Sequence, residues 1–88
     1  MTRAVEFDDA AAKELSKLNR QAQSDILRYF RERIATDEDP RRFGKPLFGE
    51  LTGLWRYRIQ DYRIICNIED DKLTVLVVRA SHRKDVYE

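Results

Sequence analysis

Residues 54–79 hold three strand-length runs with only two polar residues between neighbours. Leu54-Trp55-Arg56-Tyr57-Arg58-Ile59 alternates strictly. Gln60-Asp61 separates it from Tyr62-Arg63-Ile64-Ile65-Cys66-Asn67-Ile68-Glu69, and Asp70-Asp71 separates that run from Lys72 to Arg79. Two-residue gaps close hairpins, so the three runs form an antiparallel meander. The last run, Leu73-Thr74-Val75-Leu76-Val77-Val78, is β-branched and nearly all apolar. That pattern suits a central strand covered on both faces.

The N-terminal half supplies a covering layer. Arg3 to Phe7 alternates and reads as a short strand. Asp8-Asp9 then offers an N-cap with negative charge at a helix start. Ala10 to Leu18 is rich in helix formers, with Ala11, Leu15 and Leu18 at helical spacing. Asn19 breaks that run and can cap a second helix over residues 20–35. On that helix Ala22, Ile26, Tyr29 or Phe30, and Ile34 share one stripe. Pro40, Gly44 and Pro46 mark residues 37–46 as a loop. The expected fold is α+β: an N-terminal strand, a helical hairpin, then a three-strand meander. The helices pack on one face of a mostly antiparallel four-stranded sheet. Residues 1–88 read as one domain, with no repeat and no linker.

Composition excludes several classes. Aromatics at 10% are too many for a disordered charged tail. No apolar run approaches a membrane span, and Met1 to Glu6 lacks the apolar core of a signal peptide, so the expected location is cytoplasmic, with no membrane partner. The single Cys66 excludes an internal disulfide and a cysteine-rich zinc site, and it reads as an inert core residue. No phosphate-binding loop, dinucleotide motif, metal-ligand constellation or serine elbow is present, so no cofactor and no metal are expected.

The net charge of +1 conceals a concentration. Residues 41–65 carry six basic side chains (Arg41, Arg42, Lys45, Arg56, Arg58, Arg63) against two acidic ones (Glu50, Asp61). The same stretch holds Phe43, Phe48, Trp55, Tyr57 and Tyr62. Basic residues interleaved with aromatics are one mark of nucleic-acid binding, and a solvated sheet face over an aromatic core leaves the same pattern. Strand period decides which face each side chain takes. With Gln60-Asp61 as the turn, Ile59 lies opposite Tyr62, Arg58 opposite Arg63, and Tyr57 opposite Ile64. Arg56, Arg58 and Arg63 then share the face away from the helices. Like charges directly opposite destabilise a sheet by up to about 1 kcal/mol, so selection for stability alone disfavours them. Arginine offers a planar fork of donors matched to phosphate, and its charge does not titrate. After the last strand, His82, Arg83 and Tyr87 add groups that can fold back beside this face, and His82 and Tyr87 can move a proton.

Taken together, these residues resemble the RelE family, toxins of bacterial type II toxin–antitoxin systems within the RelE/ParE superfamily. The resemblance is carried by Val5 to Leu18, Lys45-Pro46-Leu47, Trp55 to Ile59 with Asp61 to Ile65, and Ser81 to Tyr87, in order along essentially the whole chain. It implies a RelE-like fold and a ribosome-dependent mRNA interferase that cuts the codon in the ribosomal A site. A cognate RelB-like antitoxin, the ribosome and its mRNA and rRNA are the implied partners. Arg56 and Arg58 match two basic positions of one family strand, often lysine. Arg63 matches the arginine of the "YR" in the next, Arg83 that of the tail "HR", and Tyr87 the tail tyrosine. Arginine at 56 and 58 removes any lysine-based proton transfer there.

The implied chemistry is attack of an RNA 2′-OH on the adjacent phosphorus, without metal. Arg56, Arg58 and Arg63 orient the phosphate and stabilise its added charge, Arg83 assists, and Tyr87 or His82 serves as base or acid. Arg41, Arg42 and Lys45 are candidates for positioning contacts to rRNA phosphates. Two alternatives share the sequence pattern: a ParE-like inhibitor of DNA gyrase, and a nucleic-acid-binding domain or degenerate toxin without catalysis.

Overall fold

A computed structural model describes residues 4–35 and 39–80. Strand β1 (Ala4–Phe7) leads into helix α1 (Asp9–Ser16), then helix α2 (Arg20–Tyr29), which runs on as a wider helical turn over Phe30–Ile34. Strands β2 (Lys45–Pro46), β3 (Trp55–Ile59), β4 (Tyr62–Ile68) and β5 (Lys72–Ala80) complete the sheet in the order β1-β5-β4-β3-β2.

Both helix starts are set by the expected caps. The Asp8 carboxylate accepts from the Ala11 amide at 2.8 Å, and the Asn19 side-chain oxygen accepts from the Ala22 amide at 2.8 Å. Each satisfies a donor that the first helical turn leaves without a partner. On α2 and its extension the buried stripe is Ala22, Ile26, Phe30 and Ile34, so Phe30 rather than Tyr29 takes the inward position. These residues meet Tyr57, Ile59, Ile64, Cys66, Leu73, Val75 and Val78 of the sheet in one core. Phe30 sits at the centre of an aromatic cluster, edge-on to Phe7, Tyr29 and Tyr57 at 6.1, 5.8 and 5.8 Å.

The sheet differs from expectation in two places. Lys45 and Pro46, read as loop, pair with Arg56 and Trp55 as a two-residue edge strand, so the sheet has five strands. Proline has no N–H to give a ladder, which suits it to an edge. Gly44 eases this approach, because a Cβ there would lie 3.1 Å from the Arg56 carbonyl oxygen and 3.1 Å from the Tyr57 ring, closer than most such contacts. The second difference is in β5. It is central in order, parallel to β1 and antiparallel to β4. Yet Thr74, Leu76 and Val77 are only half-buried, so among the described residues its outer face is not covered. Its apolar run has another cause. A bulge between Ile65 and Cys66 moves the partner from Val75 to Val77, so the buried face passes from Leu73 and Val75 to Val78.

Candidate functional site

The β3–β4 register is the one that strand period implies. Ile59 pairs with Tyr62, Arg58 with Arg63, Tyr57 with Ile64, and Arg56 with Ile65. Tyr57, Ile59 and Ile64 are buried under the helices, so Arg56, Arg58 and Arg63 emerge on the opposite face. Two more cations join them. Lys45 lies directly opposite Arg56, and Arg79 lies directly opposite Arg63. Arg58, Arg63 and Arg79 therefore form one row across β3, β4 and β5. Directly opposed Cβ atoms stand about 5 Å apart, close enough for three guanidiniums to grip one or two anionic groups together.

Arg79 was not a sequence candidate. An unbroken alternation from Leu73 and Val75 puts residue 79 under the helices; the bulge puts it on the open face. A glutamate holds it there. Glu14 of α1 accepts from the Val78 amide at 2.9 Å and from Arg79 Nε at 3.4 Å. The Arg79 side chain is 66% exposed.

The other sequence candidates separate. Arg41 bonds Asp39 at 3.2 Å and lies over the Trp55 ring at 6.0 Å, on the helix side of the sheet. Arg42 lies over Phe43 at 5.9 Å. Neither joins the row, whereas Lys45 does join the cationic face. His82, Arg83 and Tyr87 lie outside the described residues. The aromatics interleaved with the basic residues do not form a stacking surface. Tyr57 is in the core, Phe43, Trp55 and Tyr62 pack against it, and only Phe48 stands out, 80% exposed on the loop before β3.

Among the described residues, Lys45 is the side chain of the arginine face that can transfer a proton. Tyr57 donates its hydroxyl to the Pro40 carbonyl at 2.7 Å, and burial pushes its phenol well above the ordinary range. Tyr29 is raised for the same reason, with Arg33 pulling the other way. Burial also raises the Cys66 thiol, which fits an inert core residue. Among the described residues no three His, Cys, Asp or Glu side chains gather where they would hold a metal ion, and no helix is long and apolar enough to cross a membrane.

A second feature lies where β3 meets α2. Asp25, buried on α2, accepts from the Gln21 amide at 2.9 Å, the Gln60 amide at 2.6 Å and Arg28 at 2.6 Å. The Gln21 and Gln60 amides, and then the Arg28 guanidinium, hold its carboxyl below the usual carboxylate range against the pull of burial. Around it opens a cleft of about 330 Å³, whose wall includes Arg28, Arg33 and Arg58. Nothing in the local sequence joins these residues, since they are 25 or more positions apart across the α2–β3 contact.

Comparison with known proteins places this geometry. A family profile described as "ParE toxin of type II toxin-antitoxin system, parDE" matches residues 5–87. Toxin RelG of Mycobacterium tuberculosis is 32% identical over 87 residues, covering 99% of this chain and 98% of that protein. The toxin–antitoxin complex RelBE2 of M. tuberculosis contains a chain that superposes with a TM-score of 0.82 at 27% identity, covering 91% of this chain and 99% of that one. The isolated E. coli RelE toxin shares the fold, with a TM-score of 0.72 at 20% identity over 97% of this chain and 90% of that one.

Proposed function

The chain belongs to the ParE toxin family of type II toxin–antitoxin systems, within the RelE/ParE superfamily, and from that membership we propose that it is a ribosome-dependent endoribonuclease acting on mRNA in the cytoplasm. The observation that carries this reading is the direct opposition of Arg58 and Arg63, with Arg56 on the same face. Such pairing opposes folding and favours an anion between the guanidiniums.

In the proposed reaction the 2′ oxygen attacks the adjacent phosphorus and the bond to the 5′ oxygen breaks. The products are a cyclic phosphate and a free 5′-OH. Arg56, Arg58 and Arg63 hold the phosphate oxygens and offset the charge that builds on them. Tyr87 or His82 takes the proton of the 2′-OH or supplies the one that the 5′ oxygen needs, and Arg83 assists at the phosphate. With no strong base among the candidates, much of the rate comes from substrate positioning, which the ribosome provides for an A-site codon. Lys45, opposite Arg56, fits a contact to a flanking phosphate. Arg41 and Arg42 fit the same role at greater distance. A RelB-like antitoxin is the proposed silencing partner, by analogy with the solved RelBE2 complex.

The test is primer extension on a reporter mRNA in a purified translation system, with and without ribosomes and with EDTA-treated protein. The expected result is cutting at A-site codons that needs ribosomes and no added metal. Arg63→Ala should slow cutting by about 100-fold or more, the scale of losing one preorganised charge-stabilising group. Tyr87→Phe should also slow it. Intact mRNA with folded, antitoxin-free protein overturns the reading. The matching profile is named for ParE, so the second reading, gyrase inhibition, is then tested by a supercoiling assay.

A further inference from the structure

The row Arg79–Arg63–Arg58 ends at β3, and beyond β3 the sheet stops short. Strand β2 pairs only with Trp55 and Arg56, which leaves the outer edge of β3 from Tyr57 to Ile59 without a strand among the described residues. The cleft against α2 opens at that edge, and Arg58 belongs to both, standing in the row by register and lining the cleft. On the far wall stand Arg33 and Arg28. Arg28 is committed to Asp25 at 2.6 Å, and Asp25 accepts from it and from the two glutamine amides. Arg33 is exposed, rests on the Tyr29 ring at 5.4 Å, and makes no ion pair among the described residues. Glu32 is the one lining carboxylate that is not so engaged, against Arg33 and Arg58.

We propose that this cleft is a second phosphate subsite. A single-stranded RNA whose scissile phosphate lies at Arg58 and Arg63 runs round the free edge of β3 and sets a neighbouring phosphate against Arg33. The inference rests on the RNA reading of the open face. Two features favour a polynucleotide over an acidic side chain. The cations form a continuous line rather than one pocket, and the shared Arg58 lies between two anion positions, as a repeating polyanion requires. The Tyr29 ring holds the Arg33 guanidinium near the cleft by a cation–π contact.

The experiment is fluorescence anisotropy at low salt with fully 2′-O-methylated RNA, which cannot be cut. A trinucleotide reaches the row alone. An oligomer of about eight nucleotides, within the range of single-strand binding sites, reaches the cleft as well. Arg33→Gln is expected to weaken the longer oligomer by about fivefold, to lower its salt slope by about 0.7, and to leave the trinucleotide unchanged. Arg33→Lys retains most of the affinity. Arg31→Gln removes the same charge one turn position away, outside the cleft, and changes either affinity by less than about twofold. Equal effects of the Arg33 and Arg31 changes, or none, overturn the subsite while leaving the RNA reading of the face intact. Unchanged RNA affinity with weakened binding of an acidic peptide assigns the cleft to a protein partner and overturns it too. Failure of the unaltered protein to bind either RNA overturns the subsite, and the ribosome-dependent reading is then decided by the primer-extension assay.

Discussion

Arg58 faces Arg63 directly across two strands, and Arg63 faces Arg79 across the next two. Each opposition is repulsive, so the face is poorer in stability than a mixed surface would be. Arg58→Thr should therefore raise stability, by up to about 1 kcal/mol in urea denaturation, while ribosome-dependent cutting falls. A loss of stability together with activity would point to a structural role instead. Tyr57 presents the opposite case. Its ring is fully buried and its hydroxyl anchors Pro40, which holds the segment leading through Gly44 to Lys45. Tyr57→Phe leaves a buried carbonyl without its donor and should cost about 1–3 kcal/mol, read from the denaturation midpoint. The aromatic-and-basic pattern of residues 41–65 thus divides by face: the rings serve the core, and the charges serve the surface.

At the scale of elements, the β3–β4 turn explains its unusual residue. Gln60 has a positive φ of 54°, a conformation that costs a residue with a Cβ about 1 kcal/mol or more and that glycine takes freely. Its amide instead reaches Asp25 at 2.6 Å and ties the turn to α2. Gln60→Gly should be nearly neutral, since it relieves the backbone and loses the tie. The same tie makes acid sensitivity specific. The Asp25 carboxyl titrates below its ordinary value of 3.8 in the folded chain. A folded pKa below the unfolded one means that its stabilisation is complete above about 3.8, and is lost as pH falls through the lower folded value. Asp25→Asn should be less stable than the unaltered protein at neutral pH and lose less between there and about pH 2. Denaturation midpoints across that range check it; parallel curves would mean that other carboxylates govern the acid limb. On the opposite edge, Glu14 accepts from the Val78 amide where β1 no longer covers β5, satisfying a donor that would otherwise be open to another strand.

For the whole molecule, placement outweighs net charge. A formal charge of +1 predicts weak, salt-insensitive contact with RNA. A face holding Lys45, Arg56, Arg58, Arg63 and Arg79 predicts a log–log salt slope of about −2 to −3 for single-stranded RNA, as if three or four phosphates were neutralised. A titration of binding against salt decides between them, a flat response counting against the face. Much of this surface was legible in the amino-acid order, because it depends on short-range rules. A two-residue gap and a period of two place Arg58 against Arg63, cap residues start both helices, and helical spacing selects Ala22, Ile26 and Ile34, while the choice of Phe30 over Tyr29 is made by packing. Long-range register decided the rest. The bulge in β5 is a choice between two pairings of one apolar run, which period alone cannot make, and it carries Arg79 to the cationic face. The two-residue strand at Lys45 is eased by Gly44, where a Cβ would press on Arg56 and Tyr57 at 3.1 Å. Arg28 and Arg33 meet Arg58, 25 or more positions away, only once the α2 segment and its extension are laid across the end of β3, a contact driven by burial of Ile26 and Phe30.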